Sequence, residues 1–220
     1  MALTKFNFNS FDVTSAASKG LGFNASANGF STIDPGSMTL IKTLTASSSA
    51  TLSFVDGSSD VVLDNTYPVY MFKCINMHPA TDNVKLTINF STDTGSNYNV
   101  TKTTTIFRAF HKEDDSSTNL NYETGSDLAQ STSGANLSLE LGNGSDESCS
   151  GTLHFFNPSS TTFVKHFISN FNTYQYGNIT MNHIAGGYGN TTSAIDAVQF
   201  AMNSGNIDSG TIKLYGIKDS

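Results

Sequence analysis

The side chains best able to do chemistry are five histidines, two cysteines, four glutamates and the aspartates. A glycosidase needs two carboxylates opposed across a groove. Here Glu113, Glu123, Glu140 and Glu147 show no paired spacing. Nearly every Asp stands among Gly, Ser and Asn, where a carboxylate ordinarily accepts bonds from the N–H groups of its own turn. His78 precedes Pro79, while His154, His166 and His183 lie beside Phe or Met in candidate strands, and His111 opens His111-Lys112-Glu113-Asp114-Asp115. No two have the spacing of metal ligands, so they read as half-buried packing residues. Cys74 sits in an apolar run and Cys149 in a polar one. A disulfide and two free thiols both remain open, but without a close His pair the cysteines form no zinc site. The chain has no Gly-x-Ser-x-Gly elbow, phosphate-cradling loop or His-Glu-x-x-His. These absences lead us to expect a protein that is not an enzyme and carries no cofactor and no bound metal.

Two weaker binding chemistries are worth weighing. Asp56-Gly57-Ser58-Ser59-Asp60, Asp93-Thr94-Gly95-Ser96-Asn97 and Glu113-Asp114-Asp115 put oxygen donors on loops, as calcium requires. None follows the twelve-residue EF-hand pattern, and solvated turns are the favoured reading. Sugar rings stack on exposed aromatic faces, and the chain has no Trp. Tyr174, Tyr176 and Tyr188, in a Gly- and Asn-rich context, form the candidate glycan platform.

Strands must position these residues, because the apolar period from residue 38 onward is two. Met38, Leu40 and Leu44 mark one strand, and Leu52 with Phe54 another. Residues 67–77 are apolar on both faces, as in a central strand covered on each side. Val84, Leu86, Ile88 and Phe90 alternate with polar residues, the pattern of a strand with one wet face. Residues 103–110 follow, then a polar stretch over 112–133. Leu137, Leu139 and Leu141 alternate with Ser138 and Glu140, and further strands are expected over 152–156, 163–168 and 177–183. Val198, Phe200 and Met202, then Asn203-Ser204-Gly205-Asn206, then Ile212 and Leu214 predict a hairpin or an adjacent strand pair. About nine or ten strands without helical period imply an all-β, jelly-roll-like antiparallel β-sandwich.

Residues 1–37 differ from this domain at 38–220. Phe6, Phe8, Phe11 and Val13 form a short apolar patch, followed by a run of Ala, Ser, Gly and Asn that ends at Asp34-Pro35-Gly36. Such a stretch buries too little to fold independently. It is either a flexible leader or an extended N-terminal arm whose phenylalanines dock on a neighbouring subunit.

The totals exclude several partners. In 220 residues the net charge is −7, charged residues make up 13%, and the 11 Lys and Arg are scattered. Phosphate binding needs clustered cations, so nucleic acid and anionic membrane surfaces are excluded as partners. No apolar run nears the roughly 20 residues of a spanning helix. The first ten residues lack a secretion signal's basic and apolar regions. An exterior-type composition without an export signal suits a protein made in a host cytoplasm, exposed on the surface of a particle and released when the cell lyses.

Four segments carry a resemblance. They are Thr4-Lys5-Phe6-Asn7-Phe8-Asn9-Ser10-Phe11-Asp12-Val13, Phe72-Lys73-Cys74-Ile75-Asn76-Met77-His78-Pro79-Ala80-Thr81-Asp82, Gly151-Thr152-Leu153-His154-Phe155-Phe156-Asn157-Pro158, and residues 195–217 ending Gly210-Thr211-Ile212-Lys213-Leu214-Tyr215-Gly216-Ile217. The chain resembles the β-rich virion structural proteins of marine and cyanobacterial tailed phages. That resemblance implies a role in capsid decoration or in a tail or fibre, other virion proteins as partners, a homo-oligomer, and location in the virion. The alternative it leaves open is a receptor- or glycan-binding head on a fibre or spike, with a host surface glycan as partner. The shared segments are turns and strands, so the resemblance transfers no catalytic residue.

Overall fold

The computed structural model describes residues 20–24, 26, 29–33 and 36–218. The arm residues Phe6, Phe8, Phe11 and Val13 lie outside them. The chain divides into two units, Met1–Thr39 with Ser220, and Leu40–Asp219. In the first unit, β1 (Gly20–Phe23) pairs antiparallel with β2 (Phe30–Ile33), and the Phe23 and Phe30 rings stack at 5.2 Å. Sequence reasoning treats this stretch as irregular, because Ala, Ser, Gly and Asn between the phenylalanines hide a four-residue strand period.

Two sheets make up the second unit. The larger has the order β3 (Met38–Ser49), β14 (Ile207–Ile217), β5 (Val69–Pro79), β10 (Cys149–Phe156), β11 (Lys165–Gln175), β12 (Ile179–Gly189), β7 (Lys102–Lys112) and β8 (Thr118–Tyr122). The smaller has the order β4 (Leu52–Val55), β13 (Ala197–Met202), β6 (Leu86–Ser91) and β9 (Ala135–Asn136). Every pairing with a described register is antiparallel. No helix occurs among the described residues, so the protein is an all-β, antiparallel sandwich. From β3 to β6 each successive strand changes sheet, as do β9 to β10 and β13 to β14. The excursions β7–β8 and β11–β12 widen the larger sheet on one side.

Alternation drives this arrangement. Leu86, Ile88 and Phe90 are fully buried while Thr87 and Asn89 are partly exposed, so one face of β6 meets the opposite sheet. Phe54 and Phe200 of the smaller sheet pack on Phe72 of the larger at ring separations of 5.3 Å. Phe90 stacks on Phe155 at 4.8 Å and meets Phe167 edge-on at 5.6 Å. Each ring contributes roughly 1.5–3 kcal/mol of burial, and the two clusters lock the sheets face to face.

Three expectations need correcting. β13 and β14 are not paired: β13 lies between β4 and β6, and β14 between β3 and β5. The turn at residues 203–206 crosses between sheets, and two strands joined by a short turn look the same in sequence either way. The alternating residues 137–141 are not a strand either. Glu140 has a φ of 54°, and Leu139 leaves the main core to pack with Ile106 and Ala185. Finally, β5 is central in its sheet but is buried on one face, with Lys73 exposed and Met71 and Ile75 half-buried on the other.

Candidate functional site

The widened part of the larger sheet has two unlike faces. Along β11, Lys165, Phe167, Ser169, Phe171, Thr173 and Gln175 are buried, and His166, Ile168, Asn170 and Asn172 are exposed. The strand register extends this division to the neighbours: Ile184 of β12 lies between Asn170 and Phe107, and Phe107 lies opposite Tyr122.

Beneath the sheet is a polar cluster that sequence reasoning missed. The Arg108 Nη1 lies 3.0 Å from Glu140, and its Nε lies 2.8 Å from Glu123. The Nε approach is off the hydrogen-bond direction, so that contact is electrostatic. His183 is fully buried, with Nδ1 3.4 Å from Thr173 Oγ1 and no partner for Nε2 among the described residues. Burial, reinforced by the Arg108 charge, lowers its pKa to about 4, so the ring is neutral at pH 7. Glu123 and Glu140 thus share one cation and are engaged in holding segment 123–141 against β7. Their spacing of 17 residues gives no sequence signal for this.

The outward face is the reverse. From Ser150 on β10 across to Tyr122 on β8, its outward positions carry no Asp, Glu, Lys or Arg. Amides bridge it instead, with Asn182 donating to Asn170 at 2.7 Å and Asn172 donating to Thr180 at 3.1 Å. Apolar groups stand exposed beside them, notably Ile168, Phe107, Leu120 and Tyr122. Between β11 and β7 a trough of about 390 Å³ runs over Gly186 and Gly187, lined by His166, Ile168, Thr103, Thr105 and Tyr188. The rings of His166 and Tyr188 meet edge to face at 6.0 Å.

The three candidate tyrosines do not form one platform. Tyr188 pairs with His166 and Thr180 with Tyr174, at opposite ends of the β11–β12 ladder. Eight residues of strand separate His166 from Tyr174, about 26 Å at 3.3 Å per residue. Tyr174 contacts Asn178, and partial desolvation with the nearby Glu113 carboxylate raises its phenol pKa. Tyr176 is exposed beyond the end of the strand. The clustering of these residues in sequence reflects a hairpin, whose turn beside Tyr174 and Tyr176 lies far from its open end at Tyr188.

The remaining candidates have local tasks. Asp93 accepts from Ser91, Asn97 N–H and the Asn97 amide, and those bonds hold its carboxyl at about 2. Asp56 accepts from Leu63 N–H at 2.7 Å. Among the described residues no three His, Cys, Asp or Glu side chains are grouped as a metal would need. His111 pairs with Asp115 at 3.0 Å on the surface. Cys74 and Cys149 are buried free thiols, whose pKa values burial pushes up, that of Cys149 to about 12. Lys73 and Lys213 stand directly opposite each other on β5 and β14. No helix among the described residues is long and apolar enough to cross a membrane. No protein-family model, curated protein or solved structure matches the chain.

Proposed function

We propose that this chain is a non-enzymatic structural protein of a bacteriophage particle, exposed on the virion as a capsid-decoration, tail or fibre-associated subunit. The observation that carries the reading is the strand order. β3-β14-β5-β10 packs on β4-β13-β6-β9, with the chain crossing between sheets at each step of that core except from β6 to β9. Such winding supports a jelly roll, an architecture used by viral capsid and lectin domains. The resemblance of residues 4–13, 72–82, 151–158 and 195–217 to phage virion proteins points the same way.

In this reading the chain forms a homo-oligomer and contacts other virion proteins, with Phe6, Phe8, Phe11 and Val13 as the docking residues of the arm. Leu120, 68% exposed on the edge strand β8, supports a contact with a second copy, since edge strands are ordinarily covered or charged. An outward sheet face without Lys or Arg across five strands is poorly suited to phosphates, whether of nucleic acid or of lipid. The two glutamates drawn together by Arg108 are ion-paired beneath the sheet, and this arrangement favours a non-enzymatic role.

Cryo-electron microscopy of the purified particle tests the proposal. The expected result is density into which the Leu40–Asp219 sandwich fits at repeated, symmetry-related positions. Particles of full infectivity that lack this chain would overturn it.

A further inference from the structure

The trough on β11, β12 and β7 has a floor made by absence. Gly186 points outward with no side chain, while His166 and Ile168 rise on one side and Thr103 and Thr105 on the other. Packing does not demand that glycine: a Cβ there would meet nothing nearer than Phe167 O at 3.7 Å and Ile168 Cγ1 at 3.9 Å. Gly187 beside it is different, since its Cβ would lie 2.5 Å from Thr103 O. One glycine is therefore needed by the sheet, and the other only keeps the trough open.

The lining selects among occupants. It contains no carboxylate, ammonium or guanidinium, so a charged ligand would lose hydration without meeting a counter-charge. Tyr188 and His166 form an aromatic end wall, and their polar atoms make no hydrogen bond within the described residues. Thr103 Oγ1 accepts from Gln130 at 2.8 Å and keeps its own proton to donate. A purely apolar occupant would bury the Tyr188 and His166 polar atoms without a hydrogen-bond partner, which is unfavourable. The required ligand is uncharged, with an apolar face for the rings and hydroxyls for the rim. The volume lies within the range of small-molecule sites.

We propose that this trough binds an uncharged pyranose unit of a polysaccharide, with one sugar face against Tyr188 and Ile168 and hydroxyls bonded to His166, Thr103 and Thr105. The site does not depend on where the chain sits in a particle, so the particle map and the binding assay can fail separately.

Saturation-transfer NMR on the full chain tests it, with maltohexaose, cellohexaose, mannohexaose and β-galactohexaose as neutral probes and hexagalacturonate as the charged one. At least one neutral probe should bind, and hexagalacturonate should not. Gly186→Phe and Tyr188→Ala should each weaken binding at least tenfold without moving the thermal midpoint, and Tyr176→Ala should leave it unchanged. If Gly186→Phe fails to fold, Tyr188→Ala alone decides. Silence from all four neutral probes, preference for hexagalacturonate, or full binding by a folded Tyr188→Ala protein would each overturn the proposal. So would a peptide of residues 1–14 shifting the Gly186 and Tyr188 resonances while no sugar does, because that assigns the trough to the arm.

Discussion

Lys102 is fully buried and has no carboxylate partner among the described residues. Its ammonium donates to Asn89 Oδ1 at 2.5 Å and Val100 O at 2.7 Å, beside the Phe90 ring. Burial lowers its pKa from 10.5 to about 8. Between those values the unfolded chain holds a proton that the folded chain has released, so stability rises with pH in that window. Urea unfolding at pH 7.5 and 9.5 should show a rise on the order of 1–3 kcal/mol, and Lys102→Met should flatten it. His183 has a parallel effect at acid pH. Its ring is neutral in the fold down to about 4, while the unfolded residue protonates near 6.5. Stability should therefore fall by about 2–3 kcal/mol from pH 7 to pH 4.5, and His183→Gln should remove most of that loss. Neither effect is legible in sequence. Lys102 opens a Thr-rich run and His183 sits between Asn182 and Ile184; strand register alone turns both inward.

At the level of strands, adjacent glycines on β12 should behave oppositely. Gly187→Ala drives a methyl into Thr103 O and Thr104 and should cost about 1–3 kcal/mol, whereas Gly186→Ala should change stability by less than about 0.5 kcal/mol. Equal costs for the two would contradict a register in which Gly187 abuts the Thr103 carbonyl and Gly186 has room for a Cβ. The Lys73–Lys213 pair offers a second test. Like charges directly opposite on neighbouring strands repel, so Lys213→Glu should stabilise the protein by roughly 0.2–1 kcal/mol at low salt. The gain should shrink in 1 M NaCl. Strand positions such as 84–90 were readable because one side is wet and the other dry. Residues 137–141 mimic a strand in sequence because the same leucine alternation arises when buried residues face two different clusters around a left-handed Glu140.

For the whole molecule, the main core begins late. Among the described residues every member of its cluster lies at Ile41 or beyond. Deleting residues 1–37 should leave the sandwich folded, with an unchanged circular dichroism spectrum and a thermal midpoint within a few degrees. Loss of incorporation into particles is expected from the docking role proposed for that segment. A collapse of the fold on deletion would contradict the division between arm and sandwich. The outward face belongs to this scale too. With a net charge of −7, five strands that present no Asp, Glu, Lys or Arg outward are a property of the assembled sheet, since the residues concerned come from segments spanning 103–188.

The amino-acid sequence suffices to establish that the protein is built of strands, because a period of two and the spacing of Gly, Asn and Asp are local properties of neighbouring residues. It also determined which side of most strands is buried. Tertiary structure alone decided which strands pair, since β13 and β14 pass through a short turn into different sheets and a hydrophobic pattern does not encode a partner. It separated Tyr174 from Tyr188 and placed Tyr188 with His166, Thr103 and Gly186 around one trough. Proximity between residues more than 60 positions apart is set by sheet order, and no local pattern carries that information.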